Sequence, residues 1–586
     1  MYSQDRTKVL VFNGEIYNFK DLRSDLKKDG FRFSTNSDTE VLLHGLTLYG
    51  LEFVKRLNGI FAFAFWDRAE RRLILVRDHL GVKPLYYAEL PDESLVFASE
   101  IKALFVHPLV PRAPDFGALQ EHLVRGHSSG SRTAFAGVFR LPPAGILVWT
   151  HRTRKWHIDT YWRPKFTGDV PPDYESAVVD LRKKIENSVK RQMVADVPVG
   201  SFLSGGLDSS LITKLATRAT SEKLCCFTIS SAPGAAVLDK LDDDLIYARK
   251  LATDENLDFE EIRLEADIVK LLPNLIWHMD EPIADPAIIS CYEICKHARA
   301  RGVKVILSGQ GADELFGGYA RYKALFLLRS FGYLPMGVRK AIARMASCLP
   351  GSMPGMAGIW LRRIRRLLIE LPSNEVQRFM ALASASSDDA VFKIFNPEIK
   401  ALLGKRDSAE FGYELMRLSR SDDGHQFIYR DIMDYLPNHN LLYTDKMGMA
   451  VGLEARVPLL DMELVEAVLP MSFSWKVSKT TTKRILRDSS RTIIPNSIID
   501  RPKIGFSAPY RKWLRDDLHE LWKDVTSEET LKKRGWFDHR EVSRIREQSI
   551  AGSDDYYMLQ WAIMTCELWA REFLDKPATK VAPEMS

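Results

Sequence analysis

Residues 204–210 read Ser-Gly-Gly-Leu-Asp-Ser-Ser and follow a largely apolar run, 194–203, that predicts a buried strand. A Gly-Gly turn lets backbone N–H groups approach a pyrophosphate because no Cβ atom is in the way. The helix predicted after the turn points its positive end at the same anion, and Asp208 offers a carboxylate for Mg²⁺. The stretch therefore predicts a pyrophosphate loop, as found in enzymes that split ATP between its α- and β-phosphates.

A second glycine-rich strand end lies at residues 304–319, which read KVILSGQGADELFGGY. Alone, this stretch is also compatible with a plain turn in which Asp313 caps a helix. Because open α/β sheets bind nucleotides at the carboxyl ends of their strands, we expect this turn to face the 204–210 loop across one crevice. Asp208 and Asp313 would then be a pair of carboxylates for a Mg²⁺ ion that bridges ATP phosphates.

The chain divides into regions of different periodicity. Residues 8–162 alternate short apolar runs with turns, which predicts a domain rich in β-strands within 1–162. Residues 163–175 carry three prolines and a glycine and predict a linker. From 176 to 575, helical stretches alternate with the short apolar runs VGSFL, LCCFTI and VKVILS, and residues beyond 320 are mostly helical. We therefore predict a two-domain protein of α+β and α/β class, with a parallel sheet in the second domain and a polar tail at 576–586.

The composition is that of an ordinary globular protein. The 586 residues are 46% hydrophobic and 27% charged, and the net charge of +5 is small for this length. This balance gives no support to nucleic-acid binding. No apolar run is long enough to span a membrane, and the chain does not open with a signal peptide. We expect a cytoplasmic protein with small-molecule partners, and a homodimer is compatible with the sequence.

Motifs in both halves resemble the glutamine-hydrolysing asparagine synthetases and follow that family's order over nearly the whole chain. In the first half they are VFNGEIYNFKDLR (11–23), SDTEVLL (37–43), LNGIFAFAFWD (57–67), RDHLGVKPLYY (77–87) and FASEIKAL (97–104). In the second half they are SGGLDSS, DEP (280–282), LSGQGADELFGGY (307–319), GLEARVPLLD (452–461), KRILR (483–487) and RPKIGFSAP (501–509).

For the second half, the resemblance implies a pyrophosphate-loop ATPase domain that adenylates a side-chain carboxylate, classically that of aspartate, before ammonia attacks. ATP and Mg²⁺ are the implied cofactors. Lys483 matches the family's catalytic lysine, which neutralises charge on the departing pyrophosphate, and Asp208 and Asp313 match the metal carboxylates. The positions that match ATP-binding residues are Ser204, Gly205, Gly206, Asp208, Ser209, Thr228, Ile229, Ser308 and Gly309.

For the first half, the resemblance implies a layered sandwich of β-sheets and helices of the N-terminal-nucleophile hydrolase type, in which an N-terminal cysteine hydrolyses glutamine. Asn13 and Gly14 match the residues that stabilise the oxyanion, and Glu15 and Asp38 match those that hold the glutamine amine. Without the resemblance, Asn13–Gly14–Glu15 predicts a turn and Asp38 a helix cap.

The sequence departs from the family in two places. Family members open with Met-Cys-Gly and reach NGEIYN only after tens of residues, whereas here NGE lies at 13–15 and no cysteine precedes Cys225. The first strands and the nucleophile are therefore missing from this chain, which we expect to use ammonia. Two explanations are open. The start of the sequence is truncated or misassigned, or the first domain is a vestige. We favour the first explanation because the glutamine-contact residues are intact. Gln310 occupies a position where the family often has an acid that helps deprotonate the attacking amine, and glutamine cannot act as that base.

Five functions compete. The main hypothesis is an amide-forming ligase that acts on aspartate or a related acid. A β-lactam-synthetase-like or peptide-cyclising ligase would keep the adenylating half and use an internal amine, and an amidotransferase could act on another biosynthetic carboxylate. A tRNA-modifying enzyme is disfavoured because it would need a basic surface. A non-catalytic binding protein is disfavoured because SGGLDSS, Asp313 and Lys483 are all present.

Overall fold

The computed structural model describes residues 1–230, 242–329, 331–350, 355–404, 407–421, 424–501, 508–551 and 555–577. Most of the RPKIGFSAP motif (502–507) and most of the polar tail (578–586) lie outside these ranges. Within them, no helix combines the length and the hydropathy needed to cross a membrane.

The first region contains two antiparallel sheets. Its strands are β1 Lys8–Ile16, β2 Gly59–Asp67, β3 Arg72–Arg77, β4 Tyr86–Glu89, β5 Leu95–Ala98, β6 Phe139–Arg140, β7 Gly145–Thr150 and β8 Lys155–Thr160. The larger sheet has the order β1-β2-β3-β7-β8, and the smaller has the order β5-β4-β6. The β-rich prediction for this region is therefore confirmed.

Strand β2 shows how the layers form. Along GIFAFAFWD, Phe61, Phe63 and Phe65 share a buried cluster with residues of the helices at 19–28 and 38–49. Ala62 and Ala64 point to the other face and join a cluster that includes Leu85 of the segment leading into the smaller sheet. Because side chains alternate along a strand, large residues fill the space below the helices and small ones allow the two sheets to approach.

The second region is built on a five-stranded parallel sheet. Its strands are β9 Val199–Phe202, β10 Cys225–Ser230, β11 Asp258–Arg263, β12 Val305–Leu307 and β13 Glu454–Arg456. The order is β11-β10-β9-β12-β13, and every pairing is parallel. The predicted parallel sheet is confirmed, with β9, β10 and β12 at the three apolar runs named from the sequence.

Helices surround both sheets. In the first region they are α1 Phe19–Lys28, α2 Asp38–Tyr49, α3 Ile101–Leu104 and α4 Phe116–Arg125, with a 3₁₀ segment at Gly50–Arg56. In the second region they begin with α5 Tyr174–Gln192, α6 Leu207–Thr217, α7 Asp242–Asp254, α8 Ile268–Met279, α9 Ala287–Ala300, α10 Ala312–Phe316, α11 Ala320–Arg329, α12 Met336–Ser347, α13 Gly355–Ile369, α14 Glu375–Ala383, α15 Asp388–Ile394, α16 Pro397–Leu403, α17 Glu410–Leu418 and α18 His425–Arg430. They continue with a π-helical segment Asp431–Asn440, α19 Leu441–Met449, a 3₁₀ segment Pro458–Leu460, α20 Met462–Val468, α21 Phe473–Lys476, α22 Arg484–Ser490, α23 Asn496–Ile499, α24 Tyr510–Arg515, α25 His519–Val525, α26 Glu528–Arg534, α27 His539–Ile550, α28 Tyr557–Ala570 and a π-helical segment Arg571–Asp575.

Helix α5 begins slightly earlier than the sequence predicted. The expected linker was 163–175, but the helix starts at Tyr174 because the Asp173 side chain accepts a hydrogen bond of 2.7 Å from the Ser176 N–H. Asp173 is therefore an N-cap, and a capped helix end includes the residues directly after the cap.

Buried ion pairs join the two regions. Lys83 Nζ lies 2.8 Å from Asp445 Oδ1, and both side chains are almost fully buried. Asp280 binds Lys102 of the first region at 2.9 Å and Lys446 of the second at 2.6 Å. Because an unpaired charge in such a place is very costly, these pairs fix one docking arrangement of the two regions.

Candidate functional site

The 204–210 stretch forms a tight turn between β9 and α6. Gly205 has φ +76°, and a Cβ atom there would lie 2.3 Å from the Asp244 carbonyl oxygen, so this position requires glycine. The hydroxyl groups of Ser204 and Ser209 lie 2.9 Å apart, and the Ser204 N–H donates to Ser209 Oγ at 3.2 Å. The turn thus places two hydroxyl groups and a helix start at the end of a central strand, which is the arrangement that binds anions.

The second glycine-rich loop packs directly on the first. A Cβ atom at Gly309 would lie 2.8 Å from Asp208 Cβ and 2.9 Å from the Ser209 nitrogen. The loop continues through Gly311 into α10, whose first turn carries Asp313 and Glu314. The structure therefore brings together the two strand ends that the sequence placed on one crevice.

Lys483 joins the acidic residues of both loops. Its Nζ lies 2.5 Å from Asp208 Oδ2 and 2.6 Å from Asp313 Oδ1, and the side chain is 4% exposed. Although burial alone would lower it, the pKa of Lys483 is raised above its usual value by the carboxylates of Asp208 and Asp313. Lys483 has φ +53°, a left-handed backbone conformation just before α22. A lysine seldom adopts this conformation unless its surroundings impose it.

A cavity of about 320 Å³ opens at these loops. Its volume lies within the usual range for small-molecule sites. Of the residues matched to ATP binding or catalysis, the ones that line it are Ser204, Gly206, Asp208, Ser209, Thr228, Ile229, Ser308, Gly309, Asp313 and Lys483. Gly205 is not among the lining residues and acts through the shape of the turn.

The cavity also includes residues that the sequence did not single out. Arg501 donates to Asp244 Oδ1 at 2.5 Å, and Arg487 donates to the Thr482 carbonyl at 3.0 Å. Arg487 ends the KRILR motif and Arg501 begins the RPKIGFSAP motif. Their place in these motifs was the feature of the sequence that could have pointed to them. The other lining residues with polar groups to which the sequence assigned no role are Asp244, Asp285, Cys291, Glu314, Tyr319, Tyr435, Asn440, Tyr443, Thr444 and Thr482.

Glu314 lies at the centre of this second group. Its Oε1 accepts hydrogen bonds from Tyr319 Oη at 2.5 Å and from Asn440 Nδ2 at 2.8 Å. Burial, and secondarily the charge of Asp313, raise the pKa of Glu314 to about 7. Gln310, which stands where the family often has an acid, also lines the cavity. Its Nε2 donates to Thr444 Oγ1 at 2.6 Å, and this hydrogen bond holds the amide in place.

The residues present fit a magnesium ion. Asp208 Oδ1 is buried and has no hydrogen-bond partner, which is what a metal-ligand oxygen looks like without its cation. Asp208 and Asp313 share the single cation Lys483, so their oxygens lie close together. Among the described residues, no group of three or more His, Cys, Asp or Glu side chains could form a metal cage. Proteins usually bind Mg²⁺ with one or two carboxylates, and the phosphate oxygens of the substrate complete the coordination.

The four residues matched to glutamine contacts lie together in the first region. Asn13, Gly14 and Glu15 belong to β1 rather than to a turn, and Ser37 rather than Asp38 caps α2. Asp38 Oδ2 instead accepts the Ile16 N–H at 3.0 Å, which ties α2 to β1. A Cβ atom at Gly14 would lie 2.0 Å from a β2 carbonyl, so the close pairing with β2 requires glycine there.

Glu15 connects this first-region cluster to the second region. Burial raises the pKa of Glu15 to about 7, against the opposing charge of Arg456, whose Nη2 lies 3.4 Å from Glu15 Oε2. Arg456 ends β13, and its carbonyl accepts the Ser308 N–H at 2.8 Å. Arg456 therefore contacts Glu15 of the first region and also supports the second glycine-rich loop.

Comparison with known proteins gives matches over both regions. The family model of asparagine synthase matches residues 180–571, and that of the glutamine amidotransferase domain matches residues 1–162. Asparagine synthetase [glutamine-hydrolyzing] 1 of Bacillus subtilis (strain 168) is 32% identical over 576 residues, which cover 97% of this chain and 86% of the relative. A putative asparagine synthetase [glutamine-hydrolyzing] of Mycobacterium tuberculosis is 33% identical over 587 residues, which cover 99% of this chain and 86% of the relative.

A more distant relative carries a different name. Amidase chry2 of Gibberella zeae is 25% identical over 565 residues, which cover 90% of this chain and 81% of the relative. Among solved structures, the glutamine phosphoribosylpyrophosphate amidotransferase from B. subtilis is 19% identical to this chain. The alignment covers 37% of this chain and 45% of the amidotransferase chain, with a TM-score of 0.21.

Proposed function

Since the chain belongs to the family of glutamine-hydrolysing asparagine synthetases and is an asparagine-synthetase-like ligase, we propose that it adenylates the side-chain carboxylate of aspartate or a related acid. A carboxylate oxygen attacks the α-phosphorus of ATP, and pyrophosphate leaves with the electron pair of the broken P–O bond. Nitrogen then attacks the acyl carbon and releases a proton, and AMP leaves. The products are an amide, AMP and pyrophosphate.

The observation that carries this proposal is the position of Lys483 in the pyrophosphate cavity. A buried ammonium group that lies within 2.6 Å of a carboxylate from each glycine-rich loop is rigidly placed at the end of the sheet. A fixed cation there stabilises charge that develops on a departing pyrophosphate, and no reorganisation is needed at the moment of reaction. The Gly205–Gly206 turn and the hydroxyls of Ser204 and Ser209 are proposed to bind the same pyrophosphate.

Asp208 and Asp313 are the residues proposed to hold Mg²⁺. When bound, the ion would neutralise charge on the phosphates of ATP. The walls at Thr228 and Ile229 are proposed to contact the adenine, because both residues lie at the end of β10 and line the cavity.

Residues 1–162 are proposed to form the amidotransferase domain, in which the glutamine-contact positions are present, and residues 176–575 the synthetase domain. Ammonia is the nitrogen source proposed for the sequence given, because no cysteine precedes Cys225 in it. Asn13 and Gly14 would face the oxyanion, and Glu15 and Asp38 the glutamine amine. The clustering of these four residues on β1 and at the start of α2 supports the assignment.

The test is the fate of ATP in the purified chain with Mg²⁺, ammonia and a panel of carboxylic acids. Acid-dependent exchange of labelled pyrophosphate into ATP, with AMP as product, is expected. Asp208→Asn should remove most of the exchange with little change in folding, because the side chain keeps its shape and loses its charge. The matched control is Glu222→Gln, the same chemical change at an exposed position. Release of ADP and phosphate would contradict the proposal. A cyclised product formed without added ammonia would favour the ring-closing alternative.

A further inference from the structure

The segment between the second glycine-rich loop and α14 carries an unusual charge. Residues 315–369 contain ten lysines and arginines and no aspartate or glutamate, which gives a formal charge of +10 in a chain whose total is +5. The remainder of the chain therefore carries −5, the difference between these two values. The proposed adenylation does not account for this excess, since Tyr319 is the one described residue of the segment that lines the cavity.

Two helices of this segment, α12 and α13, pack against each other, and we call the pair the basic hairpin. One face of α13 attaches the hairpin to the rest of the chain. Arg362 Nε lies 3.5 Å from Asp555 Oδ2, and Arg366 Nη2 donates to the Ala381 carbonyl at 2.6 Å. Because positions 362 and 366 are one helical turn apart, these contacts define the inner face of α13.

The opposite face of α13 is apolar and exposed. Trp360 and Ile364 are 57% and 47% exposed, and with 3.6 residues per turn both lie about 160° around the helix from Arg362. Arg363 beside them is also exposed, and its guanidinium carbon lies 5.9 Å from the centre of the Trp360 ring. An amphipathic helix normally turns its apolar stripe towards the core, whereas α13 turns one outwards.

Helix α12 combines exposed cations and exposed apolar side chains in the same way. Lys340, Arg344 and Met345 are exposed, Met345 by 73%, and Tyr333 just before the helix is 95% exposed. Within the part of the chain that the structure describes, no carboxylate forms an ion pair with Lys340, Arg344 or Arg363. The outer side of the basic hairpin therefore presents uncompensated positive charge together with large apolar groups.

Four kinds of partner compete for such a face, and charge and shape favour one of them. A second copy of the chain would bring two segments of charge +10 together, which repulsion opposes. A nucleic acid would bind the cations and leave the aliphatic side chains in water. An acidic protein helix usually docks into a groove, whereas these apolar side chains project from the outer faces of helices. A membrane surface with anionic lipids accepts both kinds of group, because phosphates bind the cations and apolar side chains enter the boundary of the acyl chains.

We propose that the basic hairpin binds the surface of membranes that contain anionic lipids, through its exposed cations and its exposed apolar side chains. The contact is peripheral and requires no spanning helix, and the described residues contain none. Helix α11, which has ten residues and is about 15 Å long, joins Tyr319 of the cavity to the hairpin. A membrane-bound chain would therefore hold its cavity near the lipid surface, whatever acid the cavity accepts.

Co-sedimentation of the full chain with lipid vesicles tests this inference. Vesicles that mix phosphatidylglycerol with phosphatidylcholine are compared with vesicles of phosphatidylcholine alone. The chain should bind the anionic vesicles about tenfold more tightly or better, since each lysine or arginine near such a surface is worth about a factor of five. Binding should weaken as salt is added, because salt screens the attraction. A chain that stays in solution with the anionic vesicles at low salt would overturn the inference.

Two variants locate the binding on the hairpin. The charge variant combines Lys340→Gln, Arg344→Gln and Arg363→Gln and should weaken binding to anionic vesicles by about 100-fold, a factor of about five for each cation. The apolar variant combines Trp360→Gln and Ile364→Gln and should weaken it by about tenfold, because both side chains would no longer enter the lipid boundary. All five side chains project to the outside, so both variants should fold, and circular dichroism checks this.

Matched controls make the same chemical changes elsewhere on the surface. Lys28→Gln, Lys55→Gln and Lys532→Gln together remove three exposed charges, and Ile246→Gln with Leu402→Gln removes two exposed apolar side chains. Both control sets should bind vesicles as the unmodified chain does. A control that weakens binding as much as its counterpart would show adsorption without a defined surface and would contradict the inference.

The remaining outcomes identify the other partners. If the charge variant loses vesicle binding and the apolar variant keeps it, the hairpin is a general polyanion site and the inference is wrong. If vesicle binding is absent and both variants convert an oligomer into a monomer in sedimentation velocity, the hairpin is a subunit interface and the inference is equally wrong. Vesicle binding is measured without ATP or an acid, so a failure of the proposed adenylation leaves this result unaffected.

Discussion

Replacement of Gly318 by alanine should disable the proposed adenylation by displacing two charged groups at once. A Cβ atom at this position would lie 1.9 Å from Asp313 Oδ1 and 2.2 Å from Lys483 Cε. The backbone at Gly318 does not have a positive φ, so the clash with these two side chains, and not backbone strain, is the expected cost. Both groups must move by about 1 Å or more to restore normal contact distances.

The size of the effect follows from this displacement. Insertion of a methyl group into a packed site costs about 1–3 kcal/mol of stability, whereas a 1 Å misplacement of catalytic groups costs about 100-fold in rate. We therefore expect a fall of about 100-fold in kcat/KM for pyrophosphate exchange, with a moderate decrease in the free energy of unfolding. Gly337→Ala is the matched control, since a Cβ atom there meets nothing within 4 Å and the residue lies in helix α12. Exchange in Gly318→Ala within threefold of the unmodified chain would refute the role given to Asp313 and Lys483.

Two further predictions concern the contact between the two regions. Lys83→Met should lower the free energy of unfolding by about 3–5 kcal/mol, because it leaves Asp445 charged and buried; urea denaturation measures this, and the same change at the exposed Lys28 should have little effect. Asp280 should make folding sensitive to acid. Burial alone would raise the pKa of Asp280, but the charges of Lys446 and Lys102 outweigh it and lower the pKa from 3.8 to about 2. Its contribution is present above pH 4 and is lost as the pH falls towards 2, so Asp280→Asn should flatten the pH dependence of the urea midpoint in that window; an unchanged slope would contradict the assignment.

The elements that the sequence predicted correctly are those whose local pattern is unambiguous. Strands β9, β10 and β12 are short apolar runs, as expected for strands with both faces buried in a parallel sheet. The remaining strands, β11 and β13, lie at the two edges of that sheet. Strand β11 reads DFEEIR and β13 has only three residues, so neither carries a hydrophobic signal that a reader of the sequence could detect.

The candidate site also contains residues that a local sequence pattern predicts and residues that it does not. The two glycine-rich loops were predictable because glycine at a tight turn has a local physical reason. Lys483 could be assigned only through the family resemblance, since its meeting with Asp208 joins positions 275 residues apart. Asp280 of the DEP motif shows the reverse case: a motif residue that invites a chemical role and instead binds buried lysines from both regions.

One side of the cavity depends on an irregularity of the helix that no sequence pattern indicated. Tyr435 and Asn440 both line the cavity although they lie five residues apart, a spacing that puts side chains about 140° from each other on an α-helix. The segment Asp431–Asn440 is π-helical and contains Pro437, and the Leu441 N–H donates to the Leu436 carbonyl, five residues earlier. Residues five apart are brought to the same side of the segment by such bonds, and π-helical turns occur often at functional sites. The wider turn therefore places Tyr435 and Asn440 on the face towards the cavity, where Asn440 binds Glu314. The shape of this side of the cavity is set by the local winding of the chain as much as by the residues that line it.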